Sequence, residues 1–515
     1  MQVIVDWIKR VFWQDPQACF QEMDGMSDLV GCLNVIIWSD ALIYLALGAG
    51  LFYSILTRFV QVRLFREMIR LLFSSKESDR GISSFQALAV SLSGRVGTGN
   101  IAGVAAAIGF GGPGAVFWMW VVAFLGSSTA YIESALGQIY KEEDEGQYRG
   151  GPAYYIEKAL GQKWYAWIFA LVTIFACGVL LPGVQSNSIG NASDLAIGGT
   201  TMINFLGDSV PLTKLITGIV VVGILGFIIF GGVKRIAHVT QIVVPFMALG
   251  YMLMAVGIIL YHIAELPAII GLIVSDAFSP MAGIGAAIGW GVKRGVYSNE
   301  AGQGSGPHAA AASEVQHPAQ QGLVQSFSVY VDTLFVCSAT AFMFLITQQY
   351  YVTGLDASVS GGLLGPDVVI NSPAFTQYAL ESVMGGFGKT FVAVALFFFA
   401  FTTLLAYYYI AETNVAYIRR TFRVPYELTI LKVVMLASVF YGTIRQADLA
   451  WAMGDLGVGL MAWLNIIGIL ILFFMGRPAL RALKDYEAQR KAGVTEYTFD
   501  PKALGIRNAG FWEKN

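Results

Sequence analysis

Charged residues are scarce in this sequence. Only 13% of its 515 residues are charged, whereas soluble domains average roughly 25%, so the chain has too little charge to cover a soluble particle of its size. Its hydrophobic residues, 56% of the total, gather instead in runs of about 20, the length that crosses roughly 30 Å of hydrocarbon as a helix. The composition therefore predicts a multi-pass membrane protein.

The sequence also lacks the features of several soluble protein classes. A formal net charge of -2 argues against a nucleic-acid partner, which would need a clustered basic surface. No Walker motif is present, and the glycine pairs of Gly97–Gly99 and Gly302–Gly304 follow no strand of a βαβ unit. No soluble segment is large enough for a catalytic core. We therefore predict that the chain is not an enzyme, and that any transport is driven by an ion gradient.

Cysteine and histidine occur without the spacing of a metal site. The cysteines are Cys19, Cys32, Cys177 and Cys337, and the histidines are His238, His262, His308 and His317. We predict no metal cluster and no disulfide framework, although a Cys19–Cys32 bridge stays open. The first residues, MQVIVDWIKRVFW, lack the order of a signal peptide and are typical of a short amphipathic helix on the membrane surface.

Apolar runs bounded by charge, glycine and proline predict eleven spans. They lie near 35–58, 84–109, 115–140, 165–192, 213–231, 238–262, 281–309, 322–347, 388–415, 428–447 and 451–475. The chain then divides into an external amphipathic segment (1–34), one transmembrane domain (35–475) and a basic tail (476–515). The longest outer connection, 348–387, is rich in glycine and serine and is predicted to be a loop.

The distribution of Lys and Arg predicts the orientation, because these residues accumulate on the cytoplasmic side. Loops 193–212, 263–280 and 348–387 contain neither residue, whereas the alternate connections and the tail contain many. The basic residues are Arg58, Arg63, Arg66, Arg70, Lys76 and Arg80, then Lys141, Arg149 and Lys158, then Lys234 and Arg235, then Arg419, Arg420 and Arg423, then the tail from Arg477 to Lys491. We therefore predict an external N-terminus and a cytoplasmic C-terminus in the cell (inner) membrane.

Two predicted spans are interrupted by glycine. Ser91–Gly103 contains four glycines with Ser93, Thr98 and Asn100, and Gly289–Pro307 contains Lys293, Arg294, Asn299 and Glu300. A helix within the hydrocarbon region is broken only where protein or a cavity supplies hydrogen-bond partners. The two breaks are five spans apart, as in an inverted repeat of five helices with one extra helix in front.

Each interruption also has a purely structural interpretation. Gly99 and Gly103 have the small-xxx-small spacing of close helix packing, but packing alone does not explain Arg95, Thr98 and Asn100 at membrane depth. Lys293, Arg294 and Glu300 would, on the structural interpretation, form an internal ion-pair network that never contacts the transported solute. For the glycines and Tyr297 we favour contact with a ligand.

Two further spans contribute polar side chains. Gln185 and Asn187 lie within the fourth span, and Thr402 and Thr403 lie within the ninth. A threonine in a membrane helix often only bonds the carbonyl one turn earlier. Adjacent threonines that face a broken helix can instead offer oxygen ligands to sodium, a hard cation.

Four of these motifs resemble the signatures of the alanine or glycine:cation symporter family, which includes sodium:alanine symporters. They are Val96–Trp120, Gly150–Gly161, Val184–Ser188 and Gly291–Ala312, and the resemblance runs from about residue 36 to 475. It implies an all-α membrane protein of the leucine-transporter type, with inverted five-helix repeats at about 84–262 and 281–475 after one additional helix. It also implies import of small neutral amino acids, alanine or glycine, with sodium as the coupling ion and no other cofactor.

The resemblance assigns roles residue by residue. The main-chain N–H groups of Thr98 and Gly99 would receive the substrate carboxylate at the start of a half-helix. The amino group and the small side chain would be surrounded by Gln185, Gly295, Tyr297 and Ser298. Sodium would be held by the carbonyls of Ser93, Val96 and Phe399 with the hydroxyls of Thr402 and Thr403, unless Thr403 faces the substrate. Tyr297 stands where Phe is expected in many relatives, which leaves the preferred amino acid open.

Several alternatives remain at this stage. Arg95 beside the ion carbonyls requires an acid to neutralise it, and Glu133, Asp332 and Glu412 are the candidates. The same three acids are candidate carriers in a proton-coupled symporter. A channel would show repeated filter sequences, and a membrane sensor would need an output domain; neither is evident. The oligomeric state stays open, and a monomer is consistent with the sequence.

Overall fold

The computed structural model describes residues 26–73, 81–205, 208–279, 281 and 283–513. The amphipathic helix predicted for the first residues lies outside these ranges. Cys19, and with it the Cys19–Cys32 bridge, lies outside them too. The described fold is almost entirely helical. Its strands form two short antiparallel hairpins, β1 (Glu142–Asp144) with β2 (Gln147–Arg149) and β3 (Met202–Phe205) with β4 (Asp208–Pro211).

The helices of the first half, in chain order, are α1 (Met26–Ile37), α2 (Asp40–Leu56), α3 (Val60–Arg63), α4 (Phe65–Leu72), α5 (Ser84–Arg95), α6 (Ala102–Gly111), α7 (Ala115–Ile139), α8 (Pro152–Tyr155), α9 (Lys163–Phe175), α10 (Leu181–Ile197), α11 (Leu212–Ile229), α12 (Val233–Tyr261) and α13 (Leu266–Phe278). Those of the second half are α14 (Ile284–Asn299), α15 (Gly306–Ala312), α16 (Pro318–Val329), α17 (Ser338–Ile346), α18 (Ala357–Ser360), α19 (Ala374–Met384), α20 (Phe387–Arg419), α21 (Glu427–Ile444), α22 (Ala447–Phe474) and α23 (Pro478–Lys491). Three π-helical segments continue neighbouring helices, at Ile156–Leu160, Ala176–Leu180 and Tyr330–Cys337.

Within the described residues, eight helical segments are long and apolar enough to cross a membrane. They are Ala115–Ile139, Lys163–Ile197, Leu212–Ile229, Lys234–Tyr261, Pro318–Ile346, Phe387–Arg419, Glu427–Ile444 and Ala447–Phe474. α1 and α2 form a ninth if they are counted as one span bent by 43°. Each corresponds to a predicted span, because the length of the apolar run and the charged residues at its two ends indicate where a membrane helix begins and ends. The chain is thus a multi-pass membrane protein.

The predicted spans at 84–109 and 281–309 are each divided into two helices. The first consists of α5 and α6, and the second of α14 and α15. The helix α6 and the segment between it and α5 are almost entirely buried. None of these four helices is long enough to cross a membrane alone. These two segments therefore differ from the other predicted spans because their helices are interrupted, and not because their composition differs.

The connections predicted to be external contain more secondary structure than expected from the sequence. The segment 348–387 is not a plain loop: it contains α18 and α19, and the fully buried Phe375 of α19 packs against Phe344 and Tyr351. The apolar α13 lies in 263–280 and is tied to the start of α7, where Asp276 accepts the Gly114 N–H at 2.7 Å. Apolar segments too short to cross a membrane therefore form helices that pack on neighbouring parts of the protein.

Burial separates inner from peripheral helices. In the most apolar stretch of each helix, 67% of α7 and 72% of α20 is buried, against 28% of α11, α12 and α21. The exposed residues of the peripheral helices are large and apolar, including Ile219, Phe227 and Phe246, as expected for surfaces that contact lipid. α7 packs against α14, α15 and α16, and α20 packs against α10. The two broken segments therefore lie at the centre of the bundle.

The C-terminal segment folds back onto the bundle. α23 packs against α7, and Trp512 donates its indole N–H to the Gln138 carbonyl at 2.9 Å. His317, just before α16, accepts the Ala319 N–H at 3.1 Å through Nδ1 and lies 3.1 Å from Asp485 through Nε2. Burial lowers the pKa of His317, and the hydrogen bond with His317 lowers the pKa of Asp485. The division of the chain at residue 476 stays a prediction.

Candidate functional site

The first break separates α5 from α6. α5 ends at Arg95, Gly97 is extended, and Thr98–Asn100 form a single 3-10 turn. The Asn100 side chain stabilises this path, because its Oδ1 accepts the Gly97 N–H at 2.8 Å. Since all of these residues are buried, the unwound main chain faces protein and not lipid.

Two glycines are required by the close approach of other helices. A Cβ atom at Gly97 would overlap the hydroxyl of Thr403 in α20 and would lie 3.0 Å from Oε1 of Gln185 in α10. A Cβ atom at Gly99 would lie 3.1 Å from the Cα atom of Ser298 in α14. The glycines therefore let three helices contact the unwound main chain directly.

The second break occupies Glu300–Ser305. α14 continues to Asn299, so the first part of the predicted interruption, from Gly289, is helical. Glu300 then takes a left-handed conformation (φ 58°), as do Gly302 (φ 86°) and Gly304 (φ 81°), before α15 begins. The break therefore lies at the end of α14.

Glu133 of α7 supplies hydrogen-bond acceptors to this second break. Its Oε1 accepts the Gly302 N–H at 3.3 Å, and its Oε2 accepts the Gly304 N–H at 3.2 Å. Asn465 of α22 donates to Glu133 Oε2 at 2.7 Å and to the Gly302 carbonyl at 2.9 Å. A buried carboxylate thus pairs the main-chain groups that the missing helical turn leaves free.

Five residues predicted to bind substrate converge between the breaks: Thr98, Gly99, Gln185, Tyr297 and Ser298. The Thr98 N–H donates to Gln185 Oε1 at 3.1 Å, and Gly99 packs against Ser298. The amide oxygen of Gln185 therefore occupies the position at Thr98 where an anionic oxygen would bind. The Thr98 N–H thus donates to an oxygen atom, as it would donate to the substrate carboxylate in the predicted site.

Gly295, the sixth residue predicted to bind substrate, faces α7 at the position of its missing Cβ atom. A Cβ atom there would overlap Val122 and lie 3.4 Å from the Cα atom of Met119 in α7. The glycine is therefore needed where α14 packs against α7, and its position indicates helix packing.

Several buried polar side-chain atoms near the first break have no hydrogen-bond partner among the residues described here. They include the Thr98 hydroxyl, the Tyr297 hydroxyl and the indole N–H of Trp451. The rings of Tyr297 and Trp451 lie 5.0 Å apart between centroids. Because an unpaired buried polar group is costly, these atoms mark a place where a small polar molecule could supply the missing partners.

The residues predicted to hold sodium converge in part. The Thr403 hydroxyl lies 2.7 Å from the Ser93 carbonyl oxygen and 3.0 Å from the Phe399 carbonyl oxygen. All three residues are fully buried. Neutral oxygens from a broken helix and from a neighbouring hydroxyl are the ligands that suit a hard monovalent cation.

Thr402 lies at the edge of this oxygen cluster. The Thr402 hydroxyl bonds the carbonyls of Phe398 and Phe399 at 2.9 and 3.0 Å and lies 3.6 Å from the sulfur of Met247. It thus shares the Phe399 carbonyl with Thr403. Val96 follows the last residue of α5. Among carbonyls, Thr402 therefore bonds only those of its own helix, as threonines in membrane helices often do, whereas Thr403 also bonds the carbonyl of Ser93 in α5.

Arg95 is held by neutral groups and not by an ion pair. Its Nη1 donates to the Gln325 carbonyl at 3.1 Å and to the Ser328 hydroxyl, and no described acid lies within 4.0 Å of it. Of the three acids considered from sequence, Glu412 pairs instead with Arg149 at 3.3 Å. Glu133 and Asp332 act on Arg95 at longer range, together with Glu300.

The basic residues of α14 form an ion-pair network, as the structural interpretation of this segment proposed, but with a different acid. Lys293 and Arg294 both pair with Asp455 of α22, at 2.7 and 2.8 Å, and not with Glu300. The Arg294 guanidinium also lies over the Trp451 ring at 4.5 Å. This cluster borders a cavity of about 410 Å³ lined by Asn34, Val35, Trp38, Asp40, Ile43, Gly285, Ala286, Gly289, Trp290 and Lys293.

Sequence reasoning missed Asp455, Asn465 and Trp451. All three lie in α22 and are buried. A signal was present, since Asp455 and Asn465 are polar residues in an apolar span, where such residues are expected to be functional or paired. Their partners lie more than 100 positions away in sequence.

Comparison with known proteins adds independent information. A family model described as the sodium:alanine symporter family matches residues 23–501. Among curated relatives, the "Putative sodium/proton-dependent alanine carrier protein YrbD" of Bacillus subtilis (strain 168) is 57% identical over 494 residues, covering 95% of this chain and 98% of the relative. The "Sodium/proton-dependent alanine carrier protein" of Bacillus sp. (strain PS3) is 49% identical over 452 residues, covering 87% and 97%.

One solved structure with a similar arrangement is that of MhsT in complex with L-phenylalanine. It aligns with a TM-score of 0.47 at 15% identity and covers 77% of this chain and 99% of that one.

Proposed function

Since the chain belongs to the sodium:alanine symporter family, we propose that it imports alanine or another small neutral amino acid together with sodium. It works by alternating access, in which one helical bundle moves against the rest around a central site. The relatives described above carry alanine in their names, which supports alanine as the first substrate to test.

The observation that carries this proposal is the adjacency of two different sites along one unwound segment. Ser93, at the end of α5, contributes a carbonyl to the oxygen cluster with Thr403, and Thr98, five residues later, presents an N–H group to Gln185. Carbonyls on one side of the break suit a cation, and N–H groups on the other side suit a carboxylate. Sodium bound at the first position would stabilise the conformation that binds the amino acid at the second.

The substrate would take the following position. Its carboxylate replaces the Gln185 oxygen at the Thr98 N–H and also meets the Gly99 N–H, while Gln185 turns to donate to it. Tyr297 and Ser298 border the amino group and the side chain, and Gly295 contributes only main chain. The Tyr297 and Trp451 rings limit the space for a side chain, which favours small amino acids. Sodium is held by Ser93, Phe399 and Thr403, with Thr402 and Val96 at the edge of its site.

The architecture we propose has eleven crossings, because each of the two broken segments counts as one span beside the nine that length and composition support. The two halves, about 84–262 and 281–475, form inverted five-helix repeats after one additional helix. The N-terminus lies outside and the C-terminus in the cytoplasm, as the distribution of Lys and Arg predicts.

The test is uptake of labelled alanine into proteoliposomes that contain the protein. We expect uptake to collapse when external sodium is replaced by choline, and we expect labelled alanine to accumulate by counterflow, which neither a channel nor a sensor supports. Uptake that is equal in sodium and choline would refute sodium coupling. Proton coupling is the second candidate, and the names of the relatives favour testing it, since both include sodium and proton.

A further inference from the structure

A buried carboxylate lies where the two breaks meet. Asp332, in the π-helical segment between α16 and α17, has no exposed surface. Its Oδ1 accepts the Asn100 amide at 2.6 Å and the Ser298 hydroxyl at 3.0 Å, and its Oδ2 accepts the Thr333 hydroxyl at 2.6 Å. None of the Lys or Arg residues described here pairs with it. A membrane carboxylate without a paired cation is a functional candidate by default.

The charges around Asp332 do not balance. Three fully or almost fully buried carboxylates, those of Glu133, Glu300 and Asp332, interact with one guanidinium, that of Arg95. If all four groups were ionised, two negative charges would be in excess. Because uncompensated charge is costly in the hydrocarbon region, two cations are needed to neutralise the cluster. Sodium bound at the oxygen cluster around Ser93, as proposed above, would supply one of them.

Hydrogen bonding distinguishes Asp332 from Glu133, and the interaction with Arg95 distinguishes it from Glu300. Glu133 accepts two main-chain N–H groups and the Asn465 amide, and none of these donors can become an acceptor. Glu300 accepts the Ser305 hydroxyl at 2.8 Å, and its charge is the first that we expect Arg95 to compensate.

Two of the three partners of Asp332 can reverse their roles. The hydroxyls of Ser298 and Thr333 donate to a carboxylate and can instead accept from a carboxylic acid, although the bond to the charged form is the stronger. Asn100 is fixed as a donor, because its own oxygen accepts the Gly97 N–H. A proton on Oδ2 could therefore be donated to the Thr333 oxygen without displacement of any heavy atom. This site accommodates both protonation states.

We propose that Asp332 is the carboxyl group that binds a proton when the carrier binds its amino acid. The proposal rests on the function proposed above. Ser298 contacts both Asp332 and Gly99, so an ionised Asp332 lies one residue away from the substrate carboxylate and repels it. Protonation removes that repulsion, and by linkage the bound substrate favours the protonated acid to the same extent. The proton enters from the outer solution and leaves on the cytoplasmic side.

Other titratable groups face Asp332 from the surrounding helices. They are Arg95 at the end of α5, Glu300 at the end of α14, and Cys337 in the same π-helical segment, whose sulfur lies 3.3 Å from Ser298 Oγ and from the Asn100 amide. Tyr251 of α12 lies beyond Cys337 and shares a hydrogen bond with the Thr340 hydroxyl at 2.7 Å. Variants at Asp332 separate its contribution from theirs.

The experiment measures alanine-dependent acidification inside proteoliposomes, reported by a trapped pH dye, at fixed sodium. We expect the wild-type protein to acidify the lumen when alanine is added outside. We expect Asp332→Asn, whose amide can donate as the protonated acid does, to keep sodium-driven uptake while acidification falls at least tenfold. The matched control is Glu412→Gln, which removes a buried carboxylate paired with Arg149 and should acidify like the wild type.

Each other outcome is decisive. Acidification by Asp332→Asn at the wild-type rate overturns the proposal, as does a loss of sodium dependence in this variant, which would make Asp332 a sodium ligand. Sodium-driven uptake without acidification in the wild type overturns this proposal alone, whereas uptake driven by neither ion overturns the function proposed above. Should Asp332→Asn fail to fold, Thr333→Val tests the same site. It removes a donor to the ionised form, so the pH midpoint of uptake should rise, and an unchanged midpoint would overturn the proposal.

Discussion

Replacement of Thr403 by valine tests the sodium site most sharply. The Thr403 hydroxyl lies 2.7 Å from the Ser93 carbonyl oxygen and 3.0 Å from that of Phe399. Thr403→Val removes this oxygen and keeps the shape of the side chain. In the sodium-bound state the hydroxyl would direct its lone pair at the ion, so the variant loses one ligand.

The expected effect follows from the strength of a polar contact with a charged group, about 1.5–3 kcal/mol. Because about 1.4 kcal/mol corresponds to a factor of ten, the sodium concentration for half-maximal alanine uptake should rise about 10- to 150-fold. The maximal rate at saturating sodium should change much less, since the residue acts on ion binding.

The assay is the initial rate of alanine uptake into proteoliposomes over a range of sodium concentrations. Thr413→Val is the matched control, because Thr413 is also fully buried in α20 and bonds the carbonyl of Tyr409, four residues earlier, at 2.9 Å. Thr402→Val should have a smaller effect than Thr403→Val. If Thr403→Val and Thr413→Val had the same half-maximal sodium concentration, Thr403 would not be a ligand.

Three further predictions concern the first break, the buried ion pair and the hydrogen bonds of His317. Gly97→Ala places a methyl group against the Thr403 hydroxyl; we expect overpacking of about 1–3 kcal/mol and loss of alanine uptake by a protein that still purifies as a single species. Asp455→Asn leaves Arg294 buried without its carboxylate and should reduce the free energy of unfolding by about 3–5 kcal/mol, measured by denaturant titration in detergent. Burial holds the pKa of His317 below 6.5, so the folded protein binds fewer protons than the unfolded chain. The protein therefore loses stability as the pH falls through 6.5. His317→Asn, which keeps a capping side chain, should flatten the decline in melting temperature between pH 6.5 and 5.

The sequence predicted the spans and the first break because both depend on local composition. Apolar run length determines where a helix can cross, and four glycines among polar residues mark a segment that cannot stay helical. The adjacency of Thr98 and Gln185 followed from the family resemblance, and their hydrogen bond at 3.1 Å agrees with it. The second break was harder to locate, because glycines occur throughout 289–306 and only the left-handed turn at Glu300 ends the helix.

Partners across the bundle could not be predicted in the same way. Asp455 rather than Glu300 pairs with Arg294, and Gln325 and Ser328 rather than an acid hold Arg95. Such pairings depend on the rotation of each helix about its axis, which a nearly uniform apolar sequence leaves undetermined. The helices in the outer connections were missed for a different reason, since segments such as Ala374–Met384 are too short to register as spans.

The position of bound alanine tests the central claim most directly, by cryo-electron microscopy of the protein with alanine and sodium. We predict a carboxylate oxygen at hydrogen-bond distance, about 3 Å, from the Thr98 nitrogen, and an ion between the Ser93 carbonyl, the Phe399 carbonyl and the Thr403 hydroxyl. Alanine bound instead in the cavity beside Trp38 and Lys293, with neither molecule nor ion at the first break, would contradict the account.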